Sequence, residues 1–128
     1  RAVQHETAEA LAMSDGVLAA HDALPPVQRA QGVLTVGFAL MRVEQLALAR
    51  TLLERALTEF EAEGASYPAA WATHSLAGYF ESVGHFDRAL ALRRLLDERL
   101  AYDAVSPSLR ALNKVRQATL LTRTRRYA

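Results

Sequence analysis

The stretch LAGYFESVGHFDRA, residues 76–89, places a small residue beside large ones and then supplies a glycine for a turn. Leu76 and Ala77 are followed first by Phe80 and then by Gly84. A small side chain lets an antiparallel helix approach closely, and the large side chains fill the space beside it. Because Val83 and Gly84 interrupt the helical pattern, the stretch predicts two helices joined by a short turn.

The same arrangement occurs three times in the chain, at spacings of 40 and 41 residues. The three windows are Val36-Gly37-x-x-Leu40, Leu76-Ala77-x-x-Phe80 and Gln117-Ala118-x-x-Leu121. Downstream of the first two windows, the corresponding pairs are Leu46/Phe86, Ala49/Ala89 and Leu53/Arg93. Similarity at a fixed period of this size indicates a stacked array of helical repeats.

Helical periodicity extends over the whole chain, and no long segment alternates with the period of a strand. The pattern predicts an all-α fold of about six helices, over residues 2–23, 27–41, 43–63, 68–82, 86–101 and 106–128. Pro68 and Pro107 suit the first helical turn, and Ser106 suits the N-cap before Pro107.

These helices are expected to form one domain, residues 1–128. We interpret residues 1–24 as the second helix of a preceding repeat, residues 27–63 and 68–101 as two repeats, and residues 106–128 as the first helix of a truncated repeat or a linker helix.

Opposite charges four residues apart mark the expected exposed sides of two helices. The pairs in the third helix are Arg50 with Glu54 and Arg55 with Glu59. The pairs in the fifth helix are Arg93 with Asp97 and Arg94 with Glu98. The sequence therefore predicts that Arg93 faces solvent.

Residues 76–89 resemble a tetratricopeptide repeat, because the Leu, small, aromatic, Gly, aromatic and Ala positions all stand at that family's spacings. Residues 36–56 resemble a second copy, in which Glu44 replaces the turn glycine. The resemblance covers nearly the whole chain and implies antiparallel helix pairs stacked into a right-handed superhelix. The family's usual period is about 34 residues. The longer period here resembles that of bacterial regulators, namely sensor domains that precede diguanylate cyclases and repeat domains of large ATP-dependent transcription activators.

The resemblance also implies a concave groove, lined by the first helix of each pair, that receives a peptide, a helix or an apolar small molecule. The groove-facing candidates are Gln31, Leu34, Phe38, Met41, Arg42, Trp71, His74, Gly78 and Glu81. The residues that the resemblance assigns to packing between helices are Leu76, Ala77, Phe80, Gly84, Phe86 and Ala89. In the alternative interpretation, the groove candidates pack against a neighbouring repeat, and Trp71 caps the core near the start of its helix.

Known catalytic and metal-binding motifs do not occur in the sequence. His5 lies one helical turn from Glu9, and His21 precedes Asp22, but neither pair has the spacing of a zinc motif and the chain has no cysteine. We therefore predict no catalytic, cofactor-binding or metal-binding residue, and the sequence favours a non-enzymatic module.

Basic residues dominate the end of the chain, where six of them follow Ser106 without any acidic residue. They are Arg110, Lys114, Arg116, Arg123, Arg125 and Arg126. One hypothesis is that this helix binds nucleic acid by neutralising phosphates. Against it, the basic residues do not keep to one face and no helix-turn-helix signature is present. The other interpretation is a helix that continues into a repeat or a linker.

The bulk composition is that of an ordinary globular chain, with no apolar run long enough to predict a membrane span. The absence of cysteine fits the cytoplasm, and fourteen Arg to one Lys indicate a GC-rich bacterial genome. Arg1 in place of an initial Met suggests an excised piece. We expect an interaction or sensor module of a larger bacterial signalling protein, which binds a protein, a peptide, a small ligand or a second copy of itself to control an output domain.

Overall fold

The computed structural model describes residues 2–102 and 107–127, and the side chains of residues 7–100 and 107–125. The described residues form an all-α fold and contain no strand. Its six helices are α1 (Ala2–His21), α2 (Pro26–Arg42), α3 (Leu46–Ala62), α4 (Ser66–Ser82), α5 (Phe86–Tyr102) and α6 (Pro107–Tyr127). The prediction of an all-α fold with about six helices is confirmed.

The helix bounds repeat with the period seen in the sequence. The pair α4 and α5 begins and ends 40 residues after the pair α2 and α3, and α6 begins 41 residues after α4. Buried positions repeat at the same spacing: Ala30/Ala70, Val33/Thr73, Val36/Leu76, Gly37/Ala77, Leu40/Phe80, Ala49/Ala89, Leu53/Arg93, Ala56/Leu96 and Phe60/Leu100. Each pair is therefore the same structural unit, built around the small residue at Gly37 or Ala77.

The turns between these helices also share one geometry. Glu44, Gly64 and Gly84 have positive φ angles of 63°, 64° and 80°. In each turn the next residue donates its N–H to a carbonyl five residues back, 2.9 Å away in all three. This is the Schellman arrangement that ends helices, and it favours glycine because a side chain is strained at positive φ. Glu44 adopts this conformation without being glycine, so residues 43–45 form the same turn as residues 83–85.

Several predicted helix bounds were displaced by one to three residues. The turn at Glu44 delays α3 to Leu46, whereas the sequence pattern predicted a start at residue 43. Helix α4 begins at Ser66, two residues before Pro68, which still lies in the first turn where a missing N–H is tolerated. Pro107 opens α6 as predicted, and Ser106, the predicted N-cap, lies outside the described residues.

The helices group into two compact units, Arg1–Ala65 and Ser66–Ala128. In the first unit α2 packs against α1 and α3, and in the second unit α5 packs against α4 and α6. The core of the first unit includes Val33, Leu40, Leu53 and Phe60, and that of the second includes Leu76, Phe80, Leu96 and Leu109. The single domain and the superhelix remain predictions.

Candidate functional site

The first part of the candidate groove is one side of α2, which we call the α2 face and define as Gln31, Leu34, Phe38, Met41 and Arg42. These residues recur at intervals of three and four, so they lie along the same side of the helix. Phe38 is 44% exposed at its centre, and Leu34 and Met41 are half-buried on either side. Gln31 and Arg42 are exposed at the two ends. The α2 face is thus an apolar strip between two polar groups.

A cleft of about 340 Å³ lies between α1 and α2 and reaches the α2 face at Gln31. Its polar lining comes from His21, Gln28, Gln31 and Thr35, and its apolar lining from Val17, Leu24 and Gly32. The His21 ring lies on Gly32, where a Cβ atom would come within 2.5 Å of the ring. His21 Nδ1 donates to the Val17 carbonyl at 2.8 Å, which makes Nε2 an acceptor when the ring is neutral. The lining therefore offers donors and acceptors without a formal charge.

The corresponding side of α4, which we call the α4 face, consists of Trp71, His74, Gly78 and Glu81. The Trp71 ring meets the His74 ring edge-on, with 5.6 Å between their centroids. Trp71 is half-buried and packs on a core cluster formed by Ala70, Leu96, Leu100 and Leu109. This position matches the interpretation of Trp71 as a cap on the core.

His74 and Glu81 belong to a buried polar network centred on Arg93. The Arg93 side chain is only 1% exposed. Its Nη2 donates to Glu81 Oε1 at 2.5 Å, and its Nη1 donates to His74 Nδ1 at 2.6 Å. Asn113 of α6 donates from Nδ2 to the Arg93 carbonyl at 2.8 Å. The network therefore connects α4, α5 and α6.

His74 is held neutral inside this network. Burial, together with the positive charges of Arg93 and Arg116, lowers the pKa of His74 from 6.5 to about 4. Because Nδ1 accepts a hydrogen bond from Arg93, the proton of neutral His74 lies on Nε2. The Nδ1 lone pair is thus occupied by the guanidinium, and Glu81 is occupied by Arg93 and by Arg116 at 3.9 Å. The chemistry of this cluster is structural charge compensation.

The prediction that Arg93 faces solvent and pairs with Asp97 was wrong. Arg93 pairs with Glu81 on α4, and Asp97 pairs with Lys114 on α6. The Lys114 ammonium and its hydrogen bond hold the pKa of Asp97 below its usual value, although burial acts in the opposite direction. The other pairs of this kind, Arg50–Glu54 and Arg55–Glu59, form as predicted, at 2.7 and 2.9 Å.

Sequence reasoning therefore missed Arg93 and Asn113 as residues of a buried cluster. The signal for Arg93 was the repeat itself, since 40 residues earlier the position is Leu53, which is fully buried. The same shift relates His74 to Leu34 and Glu81 to Met41. Polar residues in the second pair thus occupy three positions that are apolar in the first.

The residues assigned to helix packing lie mostly in the core. Leu76, Ala77, Phe80 and Ala89 are at most 5% exposed. Phe86 is half-buried beneath the Arg123 guanidinium, 5.3 Å from its ring centroid, and Gly84 forms the exposed turn.

The basic side chains of α6 are largely engaged within the second unit. Arg110 donates to the Leu100 carbonyl at 2.6 Å, Lys114 pairs with Asp97, and Arg116 lies near Glu81. Arg125 is exposed, and the side chain of Arg126 lies outside the described residues. Since contacts to protein groups compete with contacts to phosphates, this arrangement disfavours α6 as a nucleic-acid surface.

Metal ligands and membrane-spanning helices bear on what a helical chain can bind. The described part of the chain contains no group of three or more potential metal ligands, and none of its helices is long and apolar enough to cross a membrane. The His5 side chain, one of the weighed metal candidates, lies outside the described residues.

By its fold the chain is an all-α protein whose helix pairs repeat every 40 residues. A scan of protein families and searches of curated proteins and solved structures found no match to it.

Proposed function

We propose that the chain is a non-catalytic interaction module that binds a peptide or helix of a partner protein along the α2 face. The observation that carries this proposal is Phe38, an aromatic side chain 44% exposed at the centre of an otherwise apolar strip. Exposed aromatic residues surrounded by apolar contacts are the usual anchors of protein interfaces.

The chemistry of the partner follows from the groups along this face. Leu34, Phe38 and Met41 recur at helical spacing, so they fit the apolar side of an amphipathic helix or alternate side chains of an extended peptide. Arg42 at one end favours an acidic residue of the partner. At the other end, Gln31 opens onto the uncharged cleft, which accommodates a neutral side chain or a peptide amide.

The wider setting of the module rests on the resemblance to tetratricopeptide regulators. In that setting it is a cytoplasmic part of a bacterial signalling protein, where partner binding alters an attached output domain. The α4 face contributes less to binding, because His74 and Glu81 are already held by Arg93.

Selection from a displayed library of random peptides tests the proposal, because such a library samples partner chemistries of every kind. Peptides selected on the chain should lose affinity for Phe38→Ala by about 30-fold or more, the effect of removing an interface anchor worth about 2 kcal/mol. Leu48→Ala is the matched control, since Leu48 is 45% exposed but lies on α3. Selected peptides that bind both variants as tightly as the unaltered chain would place the binding surface elsewhere.

The nucleic-acid alternative has its own test. The engagement of the α6 cations predicts no salt-dependent binding to a DNA or RNA duplex at low ionic strength. Tight binding that is lost in the triple variant Arg123→Ala/Arg125→Ala/Arg126→Ala would instead support that alternative.

A further inference from the structure

One side of α1 is exposed at positions that are buried in the two complete helix pairs. The core residues of α3 include Ala49, Leu52, Leu53, Ala56 and Phe60. Forty residues earlier, α1 carries Glu9, Ala12, Met13, Gly16 and Ala20, all of which are exposed. Met13 is 72% exposed, and a Cβ atom on Gly16 would meet nothing within 4 Å. We call these five residues the α1 face.

One side of α6 is exposed in the complementary way. In α2, the residues Ala30, Val33, Gly37 and Leu40 are buried, and Gly37 lies against Leu52 and Leu53 of α3. At the corresponding positions of the third repeat, α6 carries Ala111, Lys114, Ala118 and Leu121. The first three are exposed and Leu121 is half-buried. We call these four residues the α6 face.

Each face thus presents one half of the contact that joins α2 to α3. The α1 face corresponds to a second helix, and the α6 face corresponds to a first helix. We propose that two copies of the chain associate head to tail, with the α6 face of one copy packed antiparallel against the α1 face of the other. This self-association goes beyond the proposed function, because it does not use the α2 face.

Steric complementarity supports this pairing. A Cβ atom on Gly37 would lie 3.1 Å from Leu53, so an alanine in that position needs a neighbour that gives way. Ala118 supplies the extra methyl group, and the residue that corresponds to Leu53 in α1 is Met13. Because methionine is unbranched and flexible, it adapts to Ala118 more readily than leucine does. Ala12, which corresponds to Leu52, is also smaller.

Charge complementarity selects a second copy in this orientation rather than a symmetric pairing. Residues 1–24 contain four acidic residues and one Arg or Lys, whereas the chain after Ser106 contains six basic residues and no acidic one. Two α6 helices would therefore repel each other, as would two α1 helices. Extending the α2–α3 alignment places Glu9 opposite Leu121 and about one turn from Arg125. The attraction is expected to weaken in salt.

Blocking variants with a matched control test the proposal. Sedimentation velocity should show association of the chain that grows with concentration up to about 1 mM and weakens between about 50 mM and 500 mM NaCl. Ala118→Glu should abolish it, since the new carboxylate lies in the centre of the α6 face. Thr119→Glu adds the same charge at an adjacent exposed position that points away from this face, and should reduce association only slightly.

Mixing two blocked chains distinguishes the head-to-tail mode from a symmetric one. Ala118→Glu leaves the α1 face intact, and Met13→Glu leaves the α6 face intact. Each variant alone should be monomeric, and an equimolar mixture should form dimers but nothing larger. The proposal is overturned if the unaltered chain remains monomeric at about 1 mM in low salt, if Ala118→Glu still associates, or if the mixture stays monomeric. Peptide binding by the α2 face would survive any of these results.

Discussion

Removing Glu81 should expose how strongly the buried network depends on charge compensation. Glu81→Met deletes the carboxylate that pairs with Arg93 at 2.5 Å, and methionine is the residue at the corresponding position of the first helix pair. The Arg93 guanidinium, only 1% exposed, would then lack a compensating negative charge on α4. Leaving one member of a buried ion pair without its partner costs about 3–5 kcal/mol. We expect the free energy of unfolding to fall by that amount.

The repeat also supplies the matched control. In the triple variant His74→Leu/Glu81→Met/Arg93→Leu, each polar residue is replaced by the one that stands 40 residues earlier. Replacing a whole buried ionic cluster with apolar residues of similar size is often neutral or stabilising by about 1–4 kcal/mol. The triple variant should therefore recover most or all of the stability lost in Glu81→Met. Asn113 keeps its bond to the carbonyl of residue 93, which is a backbone group.

Urea-induced unfolding, followed by circular dichroism, gives the free energies of the three chains. A second transition in any of them would require separate fits for the two units. The reasoning fails if Glu81→Met is within about 0.5 kcal/mol of the unaltered chain, the range of an ordinary surface substitution. It also fails if the triple variant is less stable than Glu81→Met, because the charge of Arg93 would then not be the cause.

Three other predictions concern single positions. His74 has a pKa of about 4 when folded and 6.5 when unfolded, so stability should be complete above about pH 6.5 and should fall as the pH drops toward 4. After allowance for its partial exposure the loss is about 1–2 kcal/mol, and unfolding curves across this range should show a smaller loss in His74→Gln. Trp71→Ala should lower the free energy of unfolding by about 2 kcal/mol, because the ring covers a core cluster; an unchanged melting temperature would contradict this position. Glu44→Gly should raise stability by about 0.5–1 kcal/mol in thermal melts, whereas Glu54→Gly within α3 should lower it; destabilisation by the first would argue against the positive φ of Glu44.

The helix pairs could be predicted from the sequence because their signals are local and repeated. The small residue at Gly37 or Ala77, the turn at Gly84 and the apolar spacing around them all indicate the same arrangement. The turn at Glu44 was less visible, since a glutamate at positive φ goes against backbone preference and is compensated by the surrounding hydrogen bonds. This conflict between local preference and context also explains the misplaced start of α3.

The polar network could not be predicted from local patterns, because its members are distant in the sequence. Arg93 and Asp97 stand four residues apart on one helix, which is the spacing of a surface ion pair. Their actual partners, Glu81 and Lys114, lie on different helices. Only the comparison of Arg93 with the buried Leu53 of the preceding pair pointed to the interior. The exposure of Phe38 likewise depends on which neighbouring helices cover α2, and a single sequence does not give that information.

Chemical-shift mapping with a selected peptide tests the proposed binding face most directly. A peptide chosen on the unaltered chain is titrated into the isotope-labelled protein, and the amide and methyl resonances are followed. The proposal predicts the largest shifts at Gln31, Leu34, Phe38, Met41 and Arg42, with smaller shifts at the cleft residues Val17 and Leu24 and none at Leu48. Shifts that centre on α6 or on the α4 face, with those of Phe38 unchanged, would contradict it.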